Sequence, residues 1–168
     1  TRLQGDWSSD VCSSDLAGGG SSKNYIEYIT IASLGNGTDF GNLNTSTYTN
    51  AGFASSTRGI STGGNNYQGG HSYLNEIQYI TIASTGNASD FGDLTEQKSY
   101  LSGASSSTRG ISAGGYTGSA NLNTIEYITI ASTGNGTDFG DLLGTRRQTC
   151  GASSNVRAVF GGGTGARG

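Results

Sequence analysis

The stretch "NTIEYITIASTGNGTDFGDL", residues 123–142, decides the fold because it occurs three times. Its other copies are "NEIQYITIASTGNASDFGDL" at 75–94 and "YIEYITIASLGNGTDFGNL" at 25–43. Tyr28, Tyr79 and Tyr127 correspond, as do Phe40, Phe91 and Phe139, and both series step by 51 and then 48 residues. A second block keeps the register: "ASSTRGISTGG" at 54–64, "ASSSTRGISAGG" at 104–115 and "ASSNVRAVFGGG" at 152–163, with Arg58, Arg109 and Arg157 in equivalent places. A period near 50 marks one supersecondary unit whose copies stack on each other.

Within the unit, side chains alternate along "IEYITIAS". Ile125, Tyr127, Thr129 and Ala131 share one face, and Glu126, Ile128, Ile130 and Ser132 the other. Apolar residues on both faces predict a strand covered on two sides. Asn135-Gly136 signals a hairpin, and "TDFGDL" is the returning strand. "TRGISAGG" reads as a short strand ended by paired glycines, and "SYLSGASS" as another, so each period offers about four short strands. The extra residues of the first period fall in "NNYQGGHSYLN" and predict a surface loop. Four strands per repeat of about 50 residues are the recipe for blades around an axis. A parallel β-solenoid, with one extended face, is the alternative.

Composition narrows the function classes. The chain has 168 residues with 30 Gly, no Pro and only 32% apolar residues, and no stretch is apolar for long enough to insert in a bilayer as a helix. Net charge is −3, and without residues 1–16 the count is 8 basic against 9 acidic residues. That balance argues against a nucleic-acid binder, and Arg146-Arg147 reads as a solvated surface pair.

Within this pattern the chain resembles the kelch family of β-propellers over residues 17–168. Gly63-Gly64, Gly114-Gly115 and Gly162-Gly163 match the diglycine, Tyr28, Tyr79 and Tyr127 the aromatic strand position, and Phe40, Phe91 and Phe139 stand where kelch repeats have Trp. The resemblance implies an all-β fold, a kelch-like β-propeller fragment of about three incomplete four-stranded blades. The wording "YITIASTGN...DFGDL" is similar to tandem kelch-like proteins of marine bacteriophages. That likeness implies a non-catalytic structural or interaction module of a virion or tail, in a virion or extracellular setting. Its implied partners are other virion proteins, a host surface protein or glycan, and further repeats of the same chain. A host- or glycan-binding adhesin is the second reading, and an oxidase or glycosidase propeller the third.

"DWSSDVCSSDL", residues 6–16, falls outside the repeat and holds the lone Trp and one of two Cys. It is similar, letter for letter, to a translated sequencing adapter, so residues 1–16 are expected to be a non-native, disordered segment. Cys150 is then the single Cys of the repeat region, with no disulfide partner in it.

The candidate sites follow from position in the repeat. "DFG" at Asp90-Phe91-Gly92 and Asp138-Phe139-Gly140 recurs once per unit, so it is architectural: Asp pins the hairpin through backbone N–H groups and Phe packs between blades. "STGNGTDF", 132–139, partly resembles the Asp-box hairpin of sialidase-type propellers, itself a structural motif. Asn135, Asp138 and Asp141 are oxygen donors, read as a self-bonded turn in preference to a Ca²⁺ loop. Arg58, Arg109 and Arg157 are expected to pair with Asp39, Asp90 and Asp138 in each blade. No cofactor or metal is implied and no catalytic group stands out. Binding, if it occurs on variable loops, falls to Asn65–Asn75 and Tyr116–Asn123, with Tyr67, His71, Tyr73 and Tyr116 as contacts.

Overall fold

The computed structural model describes residues 22–67 and 70–165. The adapter-like segment, with Trp7 and Cys12, lies outside the described residues. The chain is all-β, with sixteen strands and no helix among the described residues. A pair, β1 (Lys23–Tyr28) and β2 (Thr38–Thr47), comes first. Then come β3 (Ala51–Ala54) and β4 (Arg58–Thr62), a small hairpin of β5 (Asn65–Asn66) and β6 (Ser72–Tyr73), and β7 (Glu76–Thr81) and β8 (Ser89–Asp93). The next period has β9 (Ser102–Ser105), β10 (Arg109–Ala113), β11 (Thr124–Thr129) and β12 (Thr137–Asp141). Last come β13 (Arg146–Arg147), β14 (Cys150–Ser153), β15 (Ala158–Gly161) and β16 (Thr164–Gly165).

Two antiparallel four-stranded meanders result, β3-β4-β7-β8 and β9-β10-β11-β12. The β1-β2 pair is equivalent to the last two strands of such a sheet, and β14-β15 to the first two. The sheets stack, with first strands side by side: β3 against β9 and β9 against β14. Glycine permits this approach, since a Cβ on Gly103 would lie 2.3 Å from the Gly52 carbonyl oxygen and one on Gly151 2.2 Å from that of Gly103. The core lies between sheets, where Phe53, Ile60, Ile77, Phe91, Leu94, Leu101, Ile128 and Ile130 form one buried cluster. Phe53 occupies the space over Gly110, where a Cβ would fall 1.9 Å from its ring, which explains why the strand before the diglycine carries so little apolar bulk.

The diglycine has a geometric reason. Gly63 and Gly64 take φ of 58° and 105°, Gly114 and Gly115 65° and 120°, and Gly162 and Gly163 72° and 86°, all in the region that favours glycine. The turned backbone lets Gly64 N–H donate to Lys98 O at 2.9 Å and Gly115 N–H to Arg146 O at 3.0 Å, tying each sheet to the linker that leads to the next. Thr49, Tyr100 and Gln148 occupy equivalent linker positions at φ of 57–58°, uncommon for residues with a Cβ. Successive linkers are bonded to one another there, Tyr100 N–H to Thr49 O at 2.8 Å and Gln148 N–H to Tyr100 O at 2.9 Å.

The hairpin between β11 and β12 differs from its sequence reading. Asn135-Gly136 is not a tight two-residue turn, because Tyr127 pairs with Thr137 and the chain reverses near Thr129–Ser132. The "GNG" segment instead reaches the neighbouring sheet. Gly134 N–H donates to Phe91 O at 2.8 Å, Gly136 N–H to Asp93 O at 2.7 Å, and Asn135 Oδ1 accepts Asp93 N–H at 3.0 Å. One period earlier, Gly86 N–H bonds Phe40 O, Ala88 N–H bonds Asn42 O, and Asn87 Oδ1 accepts Asn42 N–H. A repeated sequence thus specifies a repeated junction between sheets.

The two junctions share this backbone and differ in their buried polar side chains. At the first, Asn44 N–H donates to Gln78 Oε1 at 2.6 Å, and the buried Thr47 ends β2. At the second, Glu126 replaces Gln78 and Lys98 replaces Thr47. Lys98 and Glu126 are 0% and 1% exposed, their Nζ and Oε2 atoms 2.5 Å apart in a close ionic contact whose angle is not that of an aligned hydrogen bond. Glu126 Oε1 also accepts the Thr95 N–H at 2.7 Å and the Thr95 hydroxyl. Such a pair withstands its desolvation only because both members are present.

The repeated arginines require a correction. No ion pair joins Arg58, Arg109 or Arg157 to Asp39, Asp90 or Asp138; among the described residues the acidic partners in ion pairs are Glu96 and Glu126, both of Lys98. Instead the Arg58 and Arg109 guanidinium groups each lie 4.4 Å from the ring centres of Tyr79 and Tyr127, and Arg58 donates to Ile130 O at 2.9 Å. Arg58 faces Thr81 across the β4–β7 pairing, and Tyr79 faces Ile60 two residues along, so the long side chain lies along the strand onto the aromatic ring. Asp138 accepts Gly140 N–H at 3.1 Å within β12, away from the reversal near Thr129–Ser132, so this bond does not pin the hairpin.

Candidate functional site at the variable loop end

Because the sheets are meanders, each has two kinds of end. One carries the short turns at 55–57, 82–88, 106–108 and 130–136, which repeat almost unchanged in sequence. The other carries the loop after each diglycine and the linker between sheets, where sequence and length vary. At this variable end every period makes the same backbone contact, with Tyr48 bridged to Asn65, Ser99 to Tyr116, and Arg147 to Thr164. The backbone is constant and the side chains on it are not.

Two aromatic groups grow from these bridges. Around β5-β6, the Tyr67 ring meets His71 edge-on at 4.5 Å and Tyr48 at 6.3 Å. His71 Nδ1 lies 3.3 Å from both the Tyr48 hydroxyl and Asn65 Nδ2. Asn65 is buried and Tyr67 is 48% exposed, so the group has a fixed base and an open aromatic face.

In the second group Tyr73 meets Tyr116 edge-on at 6.0 Å, and the Arg147 guanidinium lies 4.4 Å from the Tyr116 ring centre and 5.7 Å from that of Tyr100. Tyr116 donates its hydroxyl proton to Gly118 O at 2.8 Å, and the loop turns tightly there, with a Cβ on Gly118 falling 2.5 Å from the Tyr73 ring. Burial raises the Tyr73 phenol above its ordinary pKa, with further upward contributions from Tyr116 and Tyr100 and an opposing one from Arg147. Rings held edge to edge with a planar cation present rigid, amphipathic area of the kind that stacks on a planar or sugar-like partner.

All four sequence-chosen contacts lie at this end, Tyr67 with His71 and Tyr73 with Tyr116. Sequence reasoning missed Tyr48, Tyr100 and Arg147, and took Arg147 for a solvated charge when it stacks on tyrosine. The signal was available: Tyr48, Ser99 and Arg147 step by the repeat period through a position where the copies disagree. Cys150 is a free, exposed thiol. No protein-family description and no curated protein matches the chain.

Proposed function

We propose that this chain is a non-catalytic interaction module of the kelch-like propeller type, part of a phage virion or tail, whose variable loop end takes a partner. The observation that supports it is the division of labour at the repeated bridges. One backbone contact recurs as Tyr48/Asn65, Ser99/Tyr116 and Arg147/Thr164, while framework positions such as Phe40, Phe91 and Phe139 do not vary. A scaffold that holds its packing residues uniform and lets one rim diverge is suited to recognition. The edge-packed tyrosines with Arg147 favour a host-surface glycan over another virion protein as that partner.

The test is binding of the chain to an array of bacterial surface glycans. Tyr116→Ala and Arg147→Ala are expected to lose the signal, while Asp138→Ala, at the opposite end, keeps it. Binding that survives both loop substitutions, or that falls with Asp138→Ala alone, would defeat the assignment of the loop end.

A further inference from the structure

We propose that Lys98 and Glu126 mature from an ion pair into a covalent amide between their side chains, a cross-link that the fold itself promotes and that releases one water. The site lies at the junction between the two complete sheets, with Lys98 on the linker from β8 to β9 and Glu126 in β11. It does not depend on the loop-end reading. The ion pair is the state of the newly folded chain, and condensation follows it.

This pair differs from an ordinary salt bridge in its burial, its contact and the treatment of its two oxygens. Both side chains are out of water, at 0% and 1% exposed. Buried charge is costly, and condensation removes both charges at once, because an ammonium and a carboxylate become an amide and a water. Nζ stands 2.5 Å from Oε2, yet among the described residues neither atom has a partner with hydrogen-bond angles. A nucleophile held against one carboxyl group needs no encounter, and good alignment is worth an effective concentration of up to about 10⁵–10⁸ M. Glu126 Oε1 accepts the Thr95 N–H at 2.7 Å and the Thr95 hydroxyl, whereas Oε2 faces the amine. Two donors on Oε1 make a small oxyanion hole, and Oε2 is left as the oxygen that departs.

Glu96 carries the protons. Its Oε1 lies 3.9 Å from Lys98 Nζ and accepts the Thr124 hydroxyl at 3.4 Å, and its side chain is 36% exposed, so it reaches both the buried amine and solvent. The Lys98 ammonium first passes one proton to Glu126 Oε2, giving an amine and a carboxylic acid. The nitrogen lone pair attacks Cδ, and the carbonyl electron pair moves onto Oε1, where Thr95 holds it. Glu96 then takes a second proton from the nitrogen and delivers it to Oε2. The Cδ–Oε2 bond breaks, Oε2 leaves as water, and the electrons on Oε1 restore the carbonyl. One C–N bond replaces one C–O bond, both hydrogens of the water come from the ammonium, and nothing is oxidised or reduced. The other junction lacks the nucleophile, since Thr47 stands at the position of Lys98.

The experiment is the intact mass of the full chain, read after denaturation, as isolated and during incubation of the folded protein at neutral pH. The unaltered chain is expected to become lighter than its sequence by one water, with fragment ions placing the loss between Lys98 and Glu126. Lys98→Arg keeps a cation beside Glu126 without an amine nucleophile, and should hold its full sequence mass. Glu96→Gln removes the proton carrier and should condense at least about 100-fold more slowly. An unaltered chain that has its β-sheet circular dichroism and stays at the full sequence mass would overturn the proposal. So would the same loss in Lys98→Arg, or a loss that the fragment ions place elsewhere. Condensation of Glu96→Gln at the unaltered rate would overturn the assigned proton relay.

Discussion

The two junctions between sheets have the same backbone and different chemistry. Where β2 meets the β3-β4-β7-β8 sheet, the backbone N–H of Asn44 satisfies the neutral Gln78, and Thr47, at the end of β2, stands at the repeat position of Lys98. Where that sheet meets β9-β10-β11-β12, the same donor position, Thr95 N–H, satisfies Glu126, and Lys98 neutralises it. The difference teaches that hydrogen bonds to the main chain set how the sheets stack, while the side-chain pair sets which face fits which. The neutral Gln78 tolerates any neighbour with a donor; a buried Lys–Glu pair tolerates only its complement.

The sharpest way to break the comparison is Lys98→Ala. It leaves Glu126 charged and buried, and is expected to destabilise the fold by about 3–5 kcal/mol in urea denaturation, whereas Thr47→Ala at the neutral junction should cost only about 1 kcal/mol. Packing gives an effect of comparable size. Phe91→Ala should cost about 3–5 kcal/mol, and Phe139→Ala at the exposed equivalent less than about 0.5 kcal/mol, in the same assay. Converting the charged junction into the neutral one, with Lys98→Thr and Glu126→Gln together, should return stability to within about 1–2 kcal/mol of the unaltered chain; a double variant no better than Lys98→Ala would show that the charges hold more than each other. A smaller change is expected from Arg109→Lys, about 0.5–1 kcal/mol, through the stacked guanidinium on Tyr127.

The smallest effect belongs to Tyr73. Its folded pKa is raised above the unfolded value near 10, so the folded state holds the phenolic proton more tightly. Its contribution is complete below that pH and falls as pH rises past it. Ultraviolet titration of the unaltered chain against Tyr73→Phe should assign the missing phenolate to the late part of the curve. A difference spectrum that develops at or below pH 10, as expected for a free phenol, would remove the burial argument.

Repetition made the strands readable. The alternation in "IEYITIAS" placed Glu126 on one face with Ile128 and Ile130, and all three are buried. Paired glycines ended the strands as expected because glycine takes positive φ readily, where residues with a Cβ are uncommon. The expected Arg–Asp pairing and the tight Asn-Gly hairpin both failed for one reason. Each assumed that residues close in the repeat satisfy one another, whereas Arg58 turns to a ring and to Ile130 of the neighbouring sheet, and Asn135 to Asp93. Contacts between copies do not show in the text of a single copy.

By itself the sequence determined the period, the four strands in each unit, the positions of the diglycines and the rim that varies, because these depend on local side-chain alternation and backbone freedom. Only the tertiary structure decided that Lys98 and Glu126 form a buried pair, that Arg147 joins the tyrosines, and that Phe139 lies open while Phe91 is covered. Those outcomes turn on which sheet lies beside which. Equivalent residues in nearly identical repeats differ only in their neighbours, and a neighbour is a property of the stack.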